Sequence, residues 1–138
     1  MKKCLVCGKN LTRDNVTGYC LEHYREHLRQ EKLNSWLDTG KTGYTVDTTI
    51  RGVIRDYIFN RQNGKCAICG IPSIWNNQEL HFVLDHIDGD ASNSSSDNLR
   101  LVCPNCDSQL DTFKSRNKDS ARNARKEFLK DNLSKQVV

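Results

Sequence analysis

Six of the seven cysteines fall into Cys-x-x-Cys pairs, Cys4/Cys7, Cys66/Cys69 and Cys103/Cys106, and Cys20 opens a Cys-x-x-His step to His23. A Cys-x-x-Cys turn lets two thiolates reach one tetrahedral ion at about 2.3 Å each, and two such turns supply four ligands. Cys66, Cys69, Cys103 and Cys106 therefore predict one structural zinc. The 33 residues between these pairs exceed ordinary finger spacing and require the insert to fold as a hairpin. A redox dithiol needs only one such motif, so the pairing favours metal. Cys4, Cys7, Cys20 and His23 predict a second structural zinc, with twelve residues between the pairs, the size of a zinc ribbon or treble-clef knuckle. His27 lies one turn beyond His23 and competes with it for the fourth position.

Between the two later pairs lies "VLDHIDGD", Val83 to Asp90. A calcium loop needs alternating acids and a glutamate at its twelfth position. No glutamate occurs between Leu80 and Ala124, so an EF-hand is excluded. Asp85 and His86 offer other chemistry. A carboxylate suits a hard divalent cation, and a neutral imidazole suits activation of water. Phosphodiester hydrolysis uses both. The dipeptide alone reads equally as a strand end followed by a half-buried polar group.

The surrounding elements must position these groups. "LEHYREHLRQEKL" is helix-prone, and residues 34–49, rich in Gly, Thr and Asp, read as a linker or extended arm. Ile50, Val53, Ile54, Tyr57 and Ile58 recur at helical spacing, with Asp47 or a threonine as cap and Gly64 as the stop. Residues 80–87 and "LRLVC" read as strands joined by the loop "DGDASNSSSDN". The chain turns helical after "CPNC", and a last helix from about Ser120 carries Ala121, Ala124, Phe128 and Leu129 on one face.

Composition agrees with a metal-dependent scaffold. Hydrophobic residues make up 36% and aromatics 7% of 138 residues, too few for a large apolar core. No run approaches the roughly 20 apolar residues of a membrane span, so no membrane association is expected. Clustered cysteines holding zinc fit the reducing cytoplasm. Residues 81–110 hold one arginine against five aspartates, and residues 111–138 hold eight Lys/Arg against four acids. An acidic pocket beside a basic flank suits a protein that binds a cation and a polyanion together.

"CAICG … LDHIDGD … NLRLVCPNCDSQ … TFKSRN" resembles the HNH, or ββα-metal, endonucleases, in the zinc-containing branch of phage and homing-type nucleases. The resemblance covers about residues 50–118. It implies a zinc-stabilised ββα-metal domain over 50–118, within a small α+β fold. The zinc-knuckle module read from the cysteines precedes it over 1–33 with the linker 34–49, and the basic C-terminal helix follows over 119–138. It further implies that His86 is the general base and Asp85 a ligand of catalytic magnesium or manganese. Asn98 would bond across the loop and hold His86. Asp107 stands where the family name leads one to expect histidine or asparagine. It reads either as a second ligand of the hard cation or as the cap of the helix that follows, with Asp111 as an additional or substitute ligand. His81, on the presumed strand, is left out of the site. Lys114, Arg116, Lys118, Arg122 and Arg125, with Lys126 and Lys130, would meet DNA phosphates. The implied activity is cleavage of double-stranded DNA, as a nicking monomer or a double-cutting homodimer, in the cytoplasm of a bacterium or phage-infected host. The competing reading is a non-catalytic zinc-knuckle nucleic-acid-binding protein on the same scaffold.

Overall fold

Helix α1 (Leu21–Thr39) runs from Cys20 at its N-cap to Gly40, whose φ of 65° turns the chain left-handed and returns its N–H to the Trp36 carbonyl. The helix is charged and largely exposed, with Trp36 its one buried residue. The computed structural model describes residues 1–42, 48–117 and 125–130. Its first correction concerns the linker: residues 34–39 are helical. Trp36 is 1% exposed, meets the Tyr57 ring edge-on at 5.6 Å and donates its indole N–H to the Ser94 carbonyl at 2.6 Å. An aromatic anchor with a satisfied polar edge is what extends the helix past residue 33. Residues 43–47 lie outside the described residues.

Helix α2 (Thr48–Arg61) buries Ile50, Val53, Ile54 and Ile58, the stripe expected from its spacing. Gly64 ends it with φ 67°. A Cβ there would sit 3.1 Å from the Phe59 ring, so both conformation and space favour glycine.

The sheet is two short antiparallel pairs. Strands β1 (Ile74–Trp75) and β2 (Gln78–Glu79) form a hairpin not anticipated above. Its turn residues Asn76 and Asn77 both have positive φ, 51° and 60°, as a two-residue primed turn demands. Strand β3 (Val83–His86) pairs with β4 (Leu99–Val102) in the register Val83–Val102, Leu84–Leu101, Asp85–Arg100, His86–Leu99. The expected strand over 80–87 is thus confined to four residues. Phe82, just before it, turns into the core.

Side chains from the end of α2 occupy the free edge of β4. The Gln62 amide donates to the Leu101 carbonyl and accepts the Leu101 N–H, both at 2.9 Å. Arg61 donates to the Ser96 and Leu99 carbonyls. A glutamine thus takes the place of a third strand and keeps the backbone groups of Leu101 paired. Trp36, Ile54, Ile58, Phe82, Leu99, Leu101 and Val102 form the core, together with Cys66 and Cys103. Helix α3 (Pro104–Gln109) then packs on β3, and a 3-10 turn follows at Lys114–Arg116. Residues 125–130 are helical, with Phe128 and Leu129 exposed. Ala121 and Ala124 lie outside the described residues.

Truncating Trp36 to alanine is expected to destabilise the protein by about 3–5 kcal/mol. A urea unfolding midpoint checks it: a true linker tryptophan would leave the midpoint unmoved.

Candidate functional site

Both cysteine clusters are built the same way. In each, a Cys-x-x-Cys turn ends on a left-handed glycine, Gly8 at φ 70° and Gly70 at φ 73°. Those glycines return their N–H groups to the Cys4 and Cys66 carbonyls at 2.9 and 3.0 Å. The other two ligands start a helix: Cys20 caps α1 with His23 in its first turn, and Cys103 caps α3 with Cys106 in its first turn. In each set the ligand atoms lie within 4.8 Å of one another. The Cys69–Cys103 and Cys7–Cys20 sulfurs are 3.7 and 3.9 Å apart, and Cys4 Sγ lies 3.6 Å from His23 Nδ1. A zinc tetrahedron with bonds near 2.3 Å to sulfur has edges of about 3.8 Å, so the donors already stand at its corners. The same spacing is far beyond a sulfur–sulfur bond.

Electrostatics within the clusters favours a cation. Backbone N–H groups, first that of Cys7, draw the Cys4 thiol down to about 6. Burial opposes ionisation of Cys66, but the N–H groups of Cys69 and Cys103 outweigh it and bring that thiol to about 6. Burial, then the neighbouring cysteines Cys103, Cys69 and Cys66, push Cys106 up to about 12. Four thiols around one point cannot all be anions without positive charge between them, and a divalent ion supplies it. These two sets can hold zinc. His27 is elsewhere: it stacks on Tyr19 and pairs with Glu31, so His23 completes the first set.

The stretch that carries Asp85 and His86 is the end of β3. The register sets Asp85 opposite Arg100 and His86 opposite Leu99; neighbours alternate sides along a strand, but a twist or bend at the strand end can turn both towards one site. Asp85 is 9% exposed, and its Oδ2 accepts from Arg100 Nε at 2.7 Å. The half-buried His86 imidazole has no hydrogen bond among the described residues. The same is true of the half-buried Asp107 carboxylate on α3. Asp107 does not cap α3. Cys103 does, its sulfur accepting the Cys106 N–H from the position immediately before Pro104. Asp111 is exposed beyond the helix. Among the described residues these acids do not gather with His86 into a third cluster as tight as the cysteine sets.

Asn98 bonds to the loop and makes no side-chain bond to His86. Its amide donates to Asp88 Oδ1 at 2.9 Å and to the Asn93 carbonyl at 2.8 Å, and its Oδ1 accepts the Asp88 N–H at 3.1 Å. Its backbone carbonyl takes the Ile87 N–H, while Gly89 returns its own N–H to the His86 carbonyl. Asn98 therefore fixes the chain directly after His86. Gly89, at φ 75°, is pressed against the segment beyond α3: Asn117 donates to its carbonyl, and a Cβ would lie 2.8 Å from Thr112 Cγ2.

Asp88 is the hub of this loop. The Asn93 side chain, the Asp90 N–H and the Asn98 amide hold its carboxyl below the ordinary value of 3.8. The folded value is the lower one, so its contribution is complete above the ordinary carboxylate range and is lost as pH falls through the folded value. Acidification below about pH 4 should therefore loosen the loop. Amide NMR signals of Asp90 and Asn98 report it, and Asp88→Asn should reduce the pH dependence to the part carried by Asp90, whose carboxyl Ser92 also holds below the ordinary value.

The basic candidates are placed in part. Lys114 and Arg116 are exposed and lie over the Phe113 ring at 4.9 and 5.3 Å, with Arg116 also donating to the Ser108 carbonyl. Arg125 is exposed, and Lys118 and Arg122 lie outside the described residues. Sequence reasoning missed Arg100. The hairpin register was its signal: laying "VLDH" antiparallel to "LRLV" puts Arg100 opposite Asp85.

No protein-family model matches the chain, and no solved structure matches it. Over 53 residues it is 40% identical to the H-N-H endonuclease F-TflIV of Escherichia phage T5, a match covering 38% of this chain and 23% of that protein. The match thus spans about a quarter of that relative's length, and it supports a likeness to HNH endonucleases. No described helix is long and apolar enough to cross a membrane.

Proposed function

We propose that the chain is a metal-dependent endonuclease of double-stranded DNA, built on a zinc-clamped ββα-metal domain. The observation that carries this reading is the His86 imidazole, half-buried and free of any hydrogen bond among the described residues, at the end of the strand that packs against α3 and directly before the Asn98-locked loop. An imidazole that no protein group engages keeps a ring nitrogen open to accept a proton from water. The endonuclease named above, matched over 53 residues, supports the same class.

In this reading His86 takes a proton from water as the water oxygen attacks phosphorus. The bond to the leaving sugar oxygen breaks, and that oxygen takes up a proton from solvent. Asp85 and Asp107 would hold magnesium or manganese, which tolerates a site of one or two carboxylates completed by water and phosphate oxygens. When bound, the ion supplies charge neutralisation at the phosphate and the leaving oxygen. Asn98 keeps His86 in place through the loop. Lys114, Arg116, Lys118, Arg122 and Arg125 add sequence-blind, salt-dependent affinity for the backbone. One site per chain nicks as a monomer and cuts both strands as a homodimer.

Incubation with supercoiled plasmid tests the proposal. Relaxed or linear product is expected with magnesium or manganese and none with a chelator of those ions. Plasmid that is bound and retarded at low salt yet stays intact with every metal would leave the non-catalytic binding module in its place.

A further inference from the structure

Asp85–Arg100 is the one charged pair of the β3–β4 ladder. Two of the other pairs, Val83–Val102 and Leu84–Leu101, are wholly apolar, and the third sets His86 beside Leu99. The Asp85–Arg100 ion pair is 9% and 25% exposed. Desolvating two charges offsets most of their attraction, and an apolar pair would hold the hairpin as well or better.

The contact is also one-sided. Only Nε of Arg100 and Oδ2 of Asp85 take part. Asp85 Oδ1 makes no hydrogen bond among the described residues, and no buried side-chain oxygen there lacks a partner, so Oδ1 remains in contact with solvent. One carboxylate oxygen is anchored and the other is offered.

We infer that Arg100 is a positioning residue for the divalent-ion site, an inference that rests on the function proposed above. By occupying Oδ2 it restricts Asp85 to ligation through Oδ1 alone. Magnesium and manganese, octahedral with short bonds, accept a single carboxylate oxygen, whereas calcium, with more and longer bonds, also uses both oxygens of one carboxylate. The ion pair therefore strengthens binding of the small ions and selects against calcium. Hydrogen-bonded partners of metal-ligating carboxylates commonly contribute tenfold or more to affinity.

Binding of manganese to the zinc-loaded full chain, read from the electron paramagnetic resonance of free manganese, tests this when repeated with calcium as competitor. Arg100→Met is expected to weaken manganese binding about tenfold or more and calcium binding less, lowering the manganese-over-calcium preference. Arg100→Lys, which keeps a cationic donor, should recover part of it. Zinc content and thermal unfolding verify the fold of each variant, and Arg100→Gln supplies the same comparison if Arg100→Met loses its zinc. Manganese affinity unchanged or tightened in folded Arg100→Met would overturn the inference and make the ion pair a plain structural bridge or a plug. Wild-type protein that binds neither ion would overturn the metal-site reading itself, and this inference with it.

Discussion

His86→Ala is expected to lower the rate of DNA cleavage by about two to four orders of magnitude, the usual contribution of a general base. The side chain makes no hydrogen bond among the described residues, and Leu99, its cross-strand neighbour, is buried independently in the core. The β3–β4 ladder is held by backbone bonds and by Gln62 and Arg61 on its far edge. The substitution therefore removes chemistry and leaves the scaffold. Single-turnover cleavage of a short duplex measures the loss, while a mobility shift and zinc content should match wild type. A variant that cuts at the wild-type rate would mean that another group activates the water.

Cys103→Ser is expected to unfold the hairpin core and to reduce zinc from two ions per chain to one. Cys103 is a zinc-ligand candidate, the cap of α3 and a core residue at once. Its N–H bonds the Cys66 sulfur at 3.2 Å, tying α3 to the Cys66–Cys69 turn. Structural zinc contributes roughly 10–16 kcal/mol in small metal-dependent folds, as much as a whole domain's net stability of about 5–15 kcal/mol. With an apolar fraction of only 36%, the chain has little to replace it. Circular dichroism and elemental analysis check both parts. Cys7→Ser, in the exposed N-terminal set, should also cost one zinc but leave the β3–β4 hairpin intact.

The zinc sets were legible because tetrahedral coordination imposes short, local spacings that survive in the sequence. The α2 stripe was legible for the same reason, since Ile50, Val53, Ile54 and Ile58 share one helix face. What was not legible depends on partners distant in the chain. Trp36 looked like linker because nothing within ten residues explains it; its partners are Tyr57 and Ser94. Arg100 looked like an isolated charge until the strand register set it on Asp85. The choice between His23 and His27 needed the ring stack on Tyr19 and the pairing with Glu31. The cap reading of Asp107, the alternative to a metal ligand, falls because Cys103 already serves there.

The central claim is that the chain cuts DNA by directing water at phosphorus. Cleavage of duplex DNA in water enriched in heavy oxygen, followed by mass analysis of the new ends, tests it most directly. One heavy oxygen is expected in each newly formed terminal phosphate of the wild-type reaction with magnesium or manganese, and almost no product from His86→Ala. Cleaved ends without the label, or no cleavage by zinc-loaded wild-type protein under any divalent ion, would contradict it.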